Sequence, residues 1–157
     1  MRLREARPDE SAAISALALR SKGYWPYSAE FLEACRDELT YPPQKIASDP
    51  YLFTLAETGD DSRLAGMLLV HLESPGQVGL DALFVEPECI GQGVGRALWQ
   101  RAVEQATVHG AQRIEIHADP YAEPFYAAMG AVRVGEVPSG SVPGRVLPLM
   151  HFALRYP

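Results

Sequence analysis

The sequence predicts a mixed α/β fold, with helices packed on a central sheet, and three observations carry that expectation. Strand-like and helix-like runs alternate along the chain with short connections. The runs "YLFTLAE", "LAGMLLVHLE" and "QVGLDALFVE" are separated only by "TGDDSR" and "SPG", turn chemistry that implies an antiparallel meander. The third strand then meets a glycine-rich loop, a helix and the strand "QRIEIHA", a unit that closes as a parallel pair with a right-handed crossover.

Each element has its own signal. "MRLREA" opens the chain as a short strand, and "RPDESAAISALALRSK" is a helix with Asp9 as N-cap and Ile14, Leu17 and Ala18 on one stripe. In "YSAEFLEACRDELT" Ser28 caps a second helix, whose Phe31, Leu32, Cys35 and Leu39 turn toward the core, and "YPP" stops it. "RALWQRAVEQATVHG" is the clearest helix, with Val94, Ala97, Leu98, Ala102 and Ala106 on one side and Gly110 closing its end. "YAEPFYAAMG" reads as a short helix ending at Gly130, and "AVRVGEV" and "RVLPLMHFALR" close the chain as two strands. The last of these, exposed at the terminus, could pair across a homodimer axis.

Composition bounds the function. A chain of 157 residues, 47% hydrophobic, is sized for one domain spanning residues 1–157. A net charge of -6 and a pI near 5.2 oppose nucleic-acid binding and favour a cationic or amine-bearing substrate. Cys35 and Cys89 are too few for a disulfide framework and stand apart from any Cys-x-x-Cys pair, so two free thiols and no metal site are expected. "MRLREARPDE" is charged where a signal peptide is apolar, and the longest clean apolar run is "MLLV"; we therefore expect a cytoplasmic protein with no membrane partner.

The stretch "IGQGVGRAL" places three glycines at alternate positions just ahead of a helix. A helix N-terminus offers unsatisfied N–H groups and the positive end of the dipole, and glycines let backbone close on a phosphate, so anion binding is expected. The P-loop pattern fails because Arg96-Ala97 stands where Lys-Ser/Thr is needed. The dinucleotide pattern fails because Gly93 leads to Arg96 and Gly95 to Leu98. A ligand-free flexible turn needs fewer than three glycines.

What "LDALFVEPECIGQGVGRALWQRAVEQA" resembles is the coenzyme A segment of the GNAT superfamily of acyl-CoA-dependent N-acyltransferases. Its pattern Gln/Arg-x-x-Gly-x-Gly/Ala is met by Gly93 and Gly95, with Ile90 where Gln or Arg is usual. A second piece, "DPYAEPFYAAMGA", is similar to that family's Asn-x-x-Ala-x-x-aromatic-Tyr-x-x-x-Gly-Phe, with Asp119 for Asn and Ala131 for Phe, and with Ala122, Phe125, Tyr126 and Gly130 in place. The resemblance implies a mostly antiparallel sheet of about six to seven strands with a splayed parallel pair at the cofactor. It implies that the N–H groups of Gly91, Gln92, Gly93, Val94, Gly95 and Arg96, next to Ile90, hold the pyrophosphate of acetyl-CoA, with charge added by Arg96. The strand end Leu83, Phe84 and Val85 would pair with the pantetheine, and Asp119, Ala122 and Phe125 would line it.

Acyl transfer from acetyl-CoA to an amine needs a proton acceptor, an oxyanion donor and a proton donor for the leaving thiolate, since an amine of pKa near 10 arrives protonated. The Val85 N–H is the expected oxyanion donor and Tyr126 the expected acid. Asp81, read in alternation with Leu83 and Val85, and His117 at a strand end are the candidate bases. "SKGYWPYSAEF" brings Tyr24, Trp25 and Tyr27 to an acceptor pocket, and Arg145 in "PSGSVPGR" could meet a substrate carboxylate. These residues imply an N-acetyltransferase for a primary amine of a small molecule or amino-acid-like acceptor. The alternatives are an acyl-CoA-binding sensor without catalysis and an acetyltransferase of protein N-termini or lysines.

Overall fold

The computed structural model describes residues 1–73 and 75–156. Seven strands form one sheet in the order β1-β2-β3-β4-β5-β7-β6, comprising β1 (Arg2–Glu5), β2 (Tyr51–Thr58), β3 (Arg63–Leu72), β4 (Gln77–Val85), β5 (Arg113–His117), β6 (Val132–Pro138) and β7 (Val146–Ala153). All neighbours are antiparallel except β4 and β5, the pair joined by the crossover helix. Among the described residues five helices cover the sheet: α1 (Ser11–Lys22), α2 (Ala29–Cys35), α3 (Pro43–Ile46), α4 (Val94–His109) and α5 (Glu123–Ala128).

Hydrophobic burial on both faces holds the layers together. On one face Val94, Leu98, Trp99 and Ala102 of α4 pack with Tyr126 of α5 against Leu68, Val78, Ile114 and Met150. On the other, Ile14, Leu17 and Ala18 of α1 join Cys35, Ile46, Phe53, Leu55 and Met67. Gly110 ends α4 at φ 79°, a left-handed conformation that glycine adopts without a Cβ penalty. Ser28 caps α2 as expected, its Oγ accepting the Phe31 N–H at 3.1 Å.

Four local expectations are corrected. Asp9 does not cap α1: Pro8–Glu10 form a 3-10 turn first, and the Asp9 carboxylate pairs with Arg7 at 3.2 Å. The helix over 27–40 ends at Cys35, although Cys35 and Leu39 still reach the core. "YPP" both stops and starts, since Pro43 opens α3 at a position where its missing N–H costs nothing. Finally, β7 is flanked by β5 and β6, so it has no free edge to offer a second copy; the sheet ends on β1 and β6.

Two irregularities of β4 position the site. Its parallel register with β5 ends at Leu80↔Ile116, so residues 81–85 run on past the last β5 partner. Its register with β3 slips between Leu69↔Ala82 and Val70↔Leu80, which leaves Asp81 unmatched as a bulge. The bulge inverts the strand. Val78 and Leu80 face α4, Ala82 faces the α1 side, and Leu83 and Val85 face α4 again. Asp81 therefore does not alternate with Leu83 and Val85.

Candidate functional site

A cavity of about 1050 Å³ opens where β4 and β5 diverge, and it touches both faces of the sheet. Its α4 side begins at the glycine loop. Gly91 and Gly93 both have φ of 85°, with open space where a Cβ would stand, so both positions need glycine for backbone shape. At Gly95 a Cβ would lie 3.2 Å from the Phe125 ring, so this glycine serves close packing of α4 on α5. Gly93 is the N-cap of α4, and no side chain caps it. The first helical bond runs from Ala97 N–H to the Gly93 carbonyl at 3.1 Å, leaving the N–H groups of Val94, Gly95 and Arg96 without intrahelical acceptors. Uncapped donors at the positive end of a 16-residue helix suit a phosphate.

Ile90, Gly91, Gly93, Val94, Gly95 and Arg96 all line the cavity. Gln92 does not; its side chain donates to the Glu88 carbonyl at 3.4 Å. From the strand, Leu83, Phe84 and Val85 line the wall. Backbone direction on β4 follows from two bonds: Glu86 N–H reaches Ala65 on the β3 side, so the N–H groups of Val85 and Leu83 point to the splayed edge. Val85 N–H is already met by Ser21 Oγ at 3.3 Å. Leu83 N–H shares that edge and has no register partner on β5.

Tyr126 is 5% exposed, packs edge-on to Trp99 and Phe125, and lines the cavity. Burial, and then the negative charge of Asp119, push its phenol well above the ordinary range. It stays protonated and can donate. Asp81 opens onto the cavity from the opposite face; burial raises its carboxyl pKa, against the pull of His71 and Lys45. His117 lines the cavity too, with Nε2 3.4 Å from Glu115.

Asp119, Ala122 and Phe125 also line the cavity, but the Asp119 carboxylate is committed inside the protein. Lys22 Nζ reaches it at 2.6 Å, the Tyr27 hydroxyl donates at 2.8 Å, the Tyr121 N–H at 2.8 Å, and Arg145 stands at 3.5 Å. Burial alone would raise its pKa; Lys22 and these hydrogen bonds win and lower it. The same network explains the acceptor candidates. Tyr24, Trp25 and Arg145 line the cavity, whereas Tyr27 does not: it stacks on Phe31 at 4.0 Å and accepts from Arg145 at 2.7 Å. Arg145 is thus held by Tyr27 and Asp119, with its guanidinium 4.8 Å from the Phe31 ring centre. Trp25 lies parallel to Tyr121 at 5.1 Å.

The sequence reading missed Tyr41, Lys45, Glu38, Glu73 and Glu115, all of which line the α1 side of the cavity. Of these only Tyr41 carries a signal in the chain, an aromatic hydroxyl beside two prolines, in a "YPP" that reads as a helix stop. Among the described residues no group of His, Cys, Asp or Glu is arranged to hold a metal, and Cys35 and Cys89 are free and buried.

Comparison with known proteins agrees with this geometry. The sequence model of the acetyltransferase (GNAT) domain matches residues 16–140. The fold is shared with PaiA N-acetyltransferase from Thermoplasma acidophilum, solved with coenzyme A, at 19% identity and a TM-score of 0.79, over 97% of this chain and 98% of that one. It is shared also with an aminoglycoside 6'-N-acetyltransferase complexed with coenzyme A, at 16% identity and a TM-score of 0.71, over 100% and 99%. A nourseothricin acetyltransferase superposes with a TM-score of 0.72 at 24% identity, over 98% of each chain. With a family model spanning most of its length and the glycine loop, splayed strands and α5 tyrosine in place, this chain belongs to the GNAT acetyltransferase family.

Proposed function

We propose that this protein transfers the acetyl group of acetyl-CoA to a primary amine of a small molecule, with both substrates bound at once. The observation that carries the reading is the cavity through the β4–β5 splay. It joins the uncapped N-terminus of α4 on one face to the Asp81 carboxylate on the other. Such a passage lets an amine and a thioester meet from opposite sides of the sheet.

Acetyl-CoA supplies the activated acyl group. The N–H groups from Gly91 to Arg96 hold its pyrophosphate, and its pantetheine lies along the splayed end of β4 from Leu83 to Val85. The Leu83 N–H donates to the carbonyl oxygen as charge builds there; we prefer it to Val85, whose N–H is taken by Ser21. Asp81 accepts the amine proton, directly or through water, with His117 beside the same opening. Tyr126 protonates the departing sulfur.

Two features favour this over the alternatives. A sensor without catalysis has no need of a neutral buried phenol and a carboxylate facing one cavity from its two sides. A protein tail needs an open groove, whereas here the Trp25–Tyr121 stack and the 139–145 loop, tied to Glu38 by Ser141 at 2.6 Å, wall the acceptor side. One similar structure is by name an aminoglycoside N-acetyltransferase, and a small-molecule amine agrees with it. Among the described residues no helix is long and apolar enough to cross a membrane.

Calorimetric titration with acetyl-CoA tests the reading. We expect micromolar binding, abolished by Gly93→Glu, which puts a carboxylate where the phosphates sit and strains a φ of 85°. Absence of heat from a folded protein sinks the proposal.

A further inference from the structure

The acceptor side of the cavity carries more negative charge than a single amine calls for. A register row crosses five strands there: Tyr51, His71, Gly79, Glu115 and His151 on β2, β3, β4, β5 and β7. Gly79 opens the floor of this row. A Cβ on it would stand 2.9 Å from Glu73 Oε1 and 3.2 Å from Asp81 Oδ1, so two carboxylates converge on one point. Glu115 adds a third from the neighbouring strand, and Glu38 a fourth from the segment that follows α2; all four line the cavity.

Tyr41 points independently to a ligand. It is 5% exposed, lines the same wall, and its hydroxyl has no hydrogen-bond partner among the described residues. Burial first, and then the negative charges of Glu38 and Asp81, push its phenol well above the ordinary range, so it keeps its proton. Its ring is packed in the core while its oxygen opens onto the cavity, where a ligand donor can pair with it.

The internal cations offset this field only in part. Lys45, over the Tyr51 ring at 4.6 Å, acts on Asp81 as one charge against four carboxylates, while Lys22 and Arg145 are engaged with Asp119. The imidazoles of His71, His117 and His151 stand 3.4 to 3.8 Å from Glu73, Asp81 and Glu115.

Resting on the acetyl-transfer reading, we propose that the acceptor carries two or more positive charges. One amine is acetylated beside Asp81, and a further ammonium is held by Glu73, Glu115, Glu38 and the Tyr41 hydroxyl. The reacting ammonium first gives up one proton to Asp81 or water. Nitrogen then forms the N–C bond and loses its second proton to water as the C–S bond breaks, and the sulfur takes a proton from Tyr126, which water reprotonates, so that one proton is released overall. The distal ammonium keeps its charge throughout. Aliphatic polyamines and polyamino sugars share this chemistry.

The test is calorimetric. The protein is titrated with acetyl-CoA, and the protein saturated with CoA is then titrated with butylamine, 1,4-diaminobutane, spermidine and the polyamino sugar kanamycin. Spermidine or kanamycin should bind at least about tenfold tighter than butylamine, and Glu73→Gln or Tyr41→Phe should remove about tenfold of that, with circular dichroism unchanged. Tight binding of spermidine alone identifies an aliphatic acceptor, and of kanamycin alone an amino sugar. Equal affinity for butylamine and the polycations, or binding of none, overturns the inference while acetyl-CoA binding leaves the parent reading standing. Loss of acetyl-CoA binding overturns that reading instead.

Discussion

Tyr126 packs against Trp99 at 6.0 Å and Phe125 at 5.2 Å, so its ring belongs to the core while its edge lines the cavity. The two roles are separable. Tyr126→Phe keeps the ring and removes only the proton, and we expect kcat to fall by about 10²-fold with KM for acetyl-CoA and Tm nearly unchanged. Steady-state kinetics with a turned-over amine decides it: unchanged kcat, or a loss confined to KM, removes Tyr126 from the proton path. This residue was legible because its motif places it four positions before Gly130, on a helix short enough to read. Tyr41 was not, because nothing near it in the chain reveals that it lines one cavity with Glu73, Asp81 and Glu115 from three other segments.

At the scale of elements, the three glycines illustrate what spacing can and cannot say. Their number ahead of α4 signalled a bound anion, yet only the fold separates Gly91 and Gly93, which need φ of 85°, from Gly95, which clears the Phe125 ring. All seven strands could be read from the chain, since alternation and turn chemistry act locally. The bulge at Asp81 could not, because a register slip is a property of the β3–β4 pair. That slip sends Asp81 to the acceptor face and sets its titration. Burial raises its carboxyl pKa, so the acid limb of kcat/KM should lie above the ordinary aspartate value, and Asp81→Asn should lose most of the rate together with that limb. The stability sign is opposite. A carboxyl with a raised folded pKa costs stability as pH climbs past its unfolded value, the full cost being reached above the folded one, so the Asn variant should match or exceed the parent in Tm at pH 7. A pH–rate profile that keeps its acid limb in the variant assigns the proton to another group.

Across the whole molecule, one carboxylate joins parts of the chain that no sequence window contains. Asp119 follows β5, Lys22 ends α1, Tyr27 precedes α2, and Arg145 precedes β7, at sequence separations of 97, 92 and 26 residues from Asp119. Where the family pattern has Asn, this chain has a charge, and the charge is what gathers Lys22 and Arg145 into the wall of the cavity. Asn at this position keeps a side-chain oxygen for the Tyr121 N–H but cannot balance two cations. Asp119→Asn should therefore destabilise the protein by about 2 kcal/mol at pH 7, leaving Lys22 and Arg145 uncompensated. It should also raise KM for the acceptor, because Arg145 and Tyr27 anchor the wall facing it. The pH dependence gives the sign. The folded pKa of Asp119 lies below the unfolded one, so its contribution is complete above the ordinary aspartate range and disappears as pH falls through the folded value. Thermal melts of the two proteins should then differ at pH 7 and converge under strongly acidic conditions. Curves that run parallel across that range would mean that Asp119 acts through shape alone, and that the charge in place of Asn does not hold the acceptor wall.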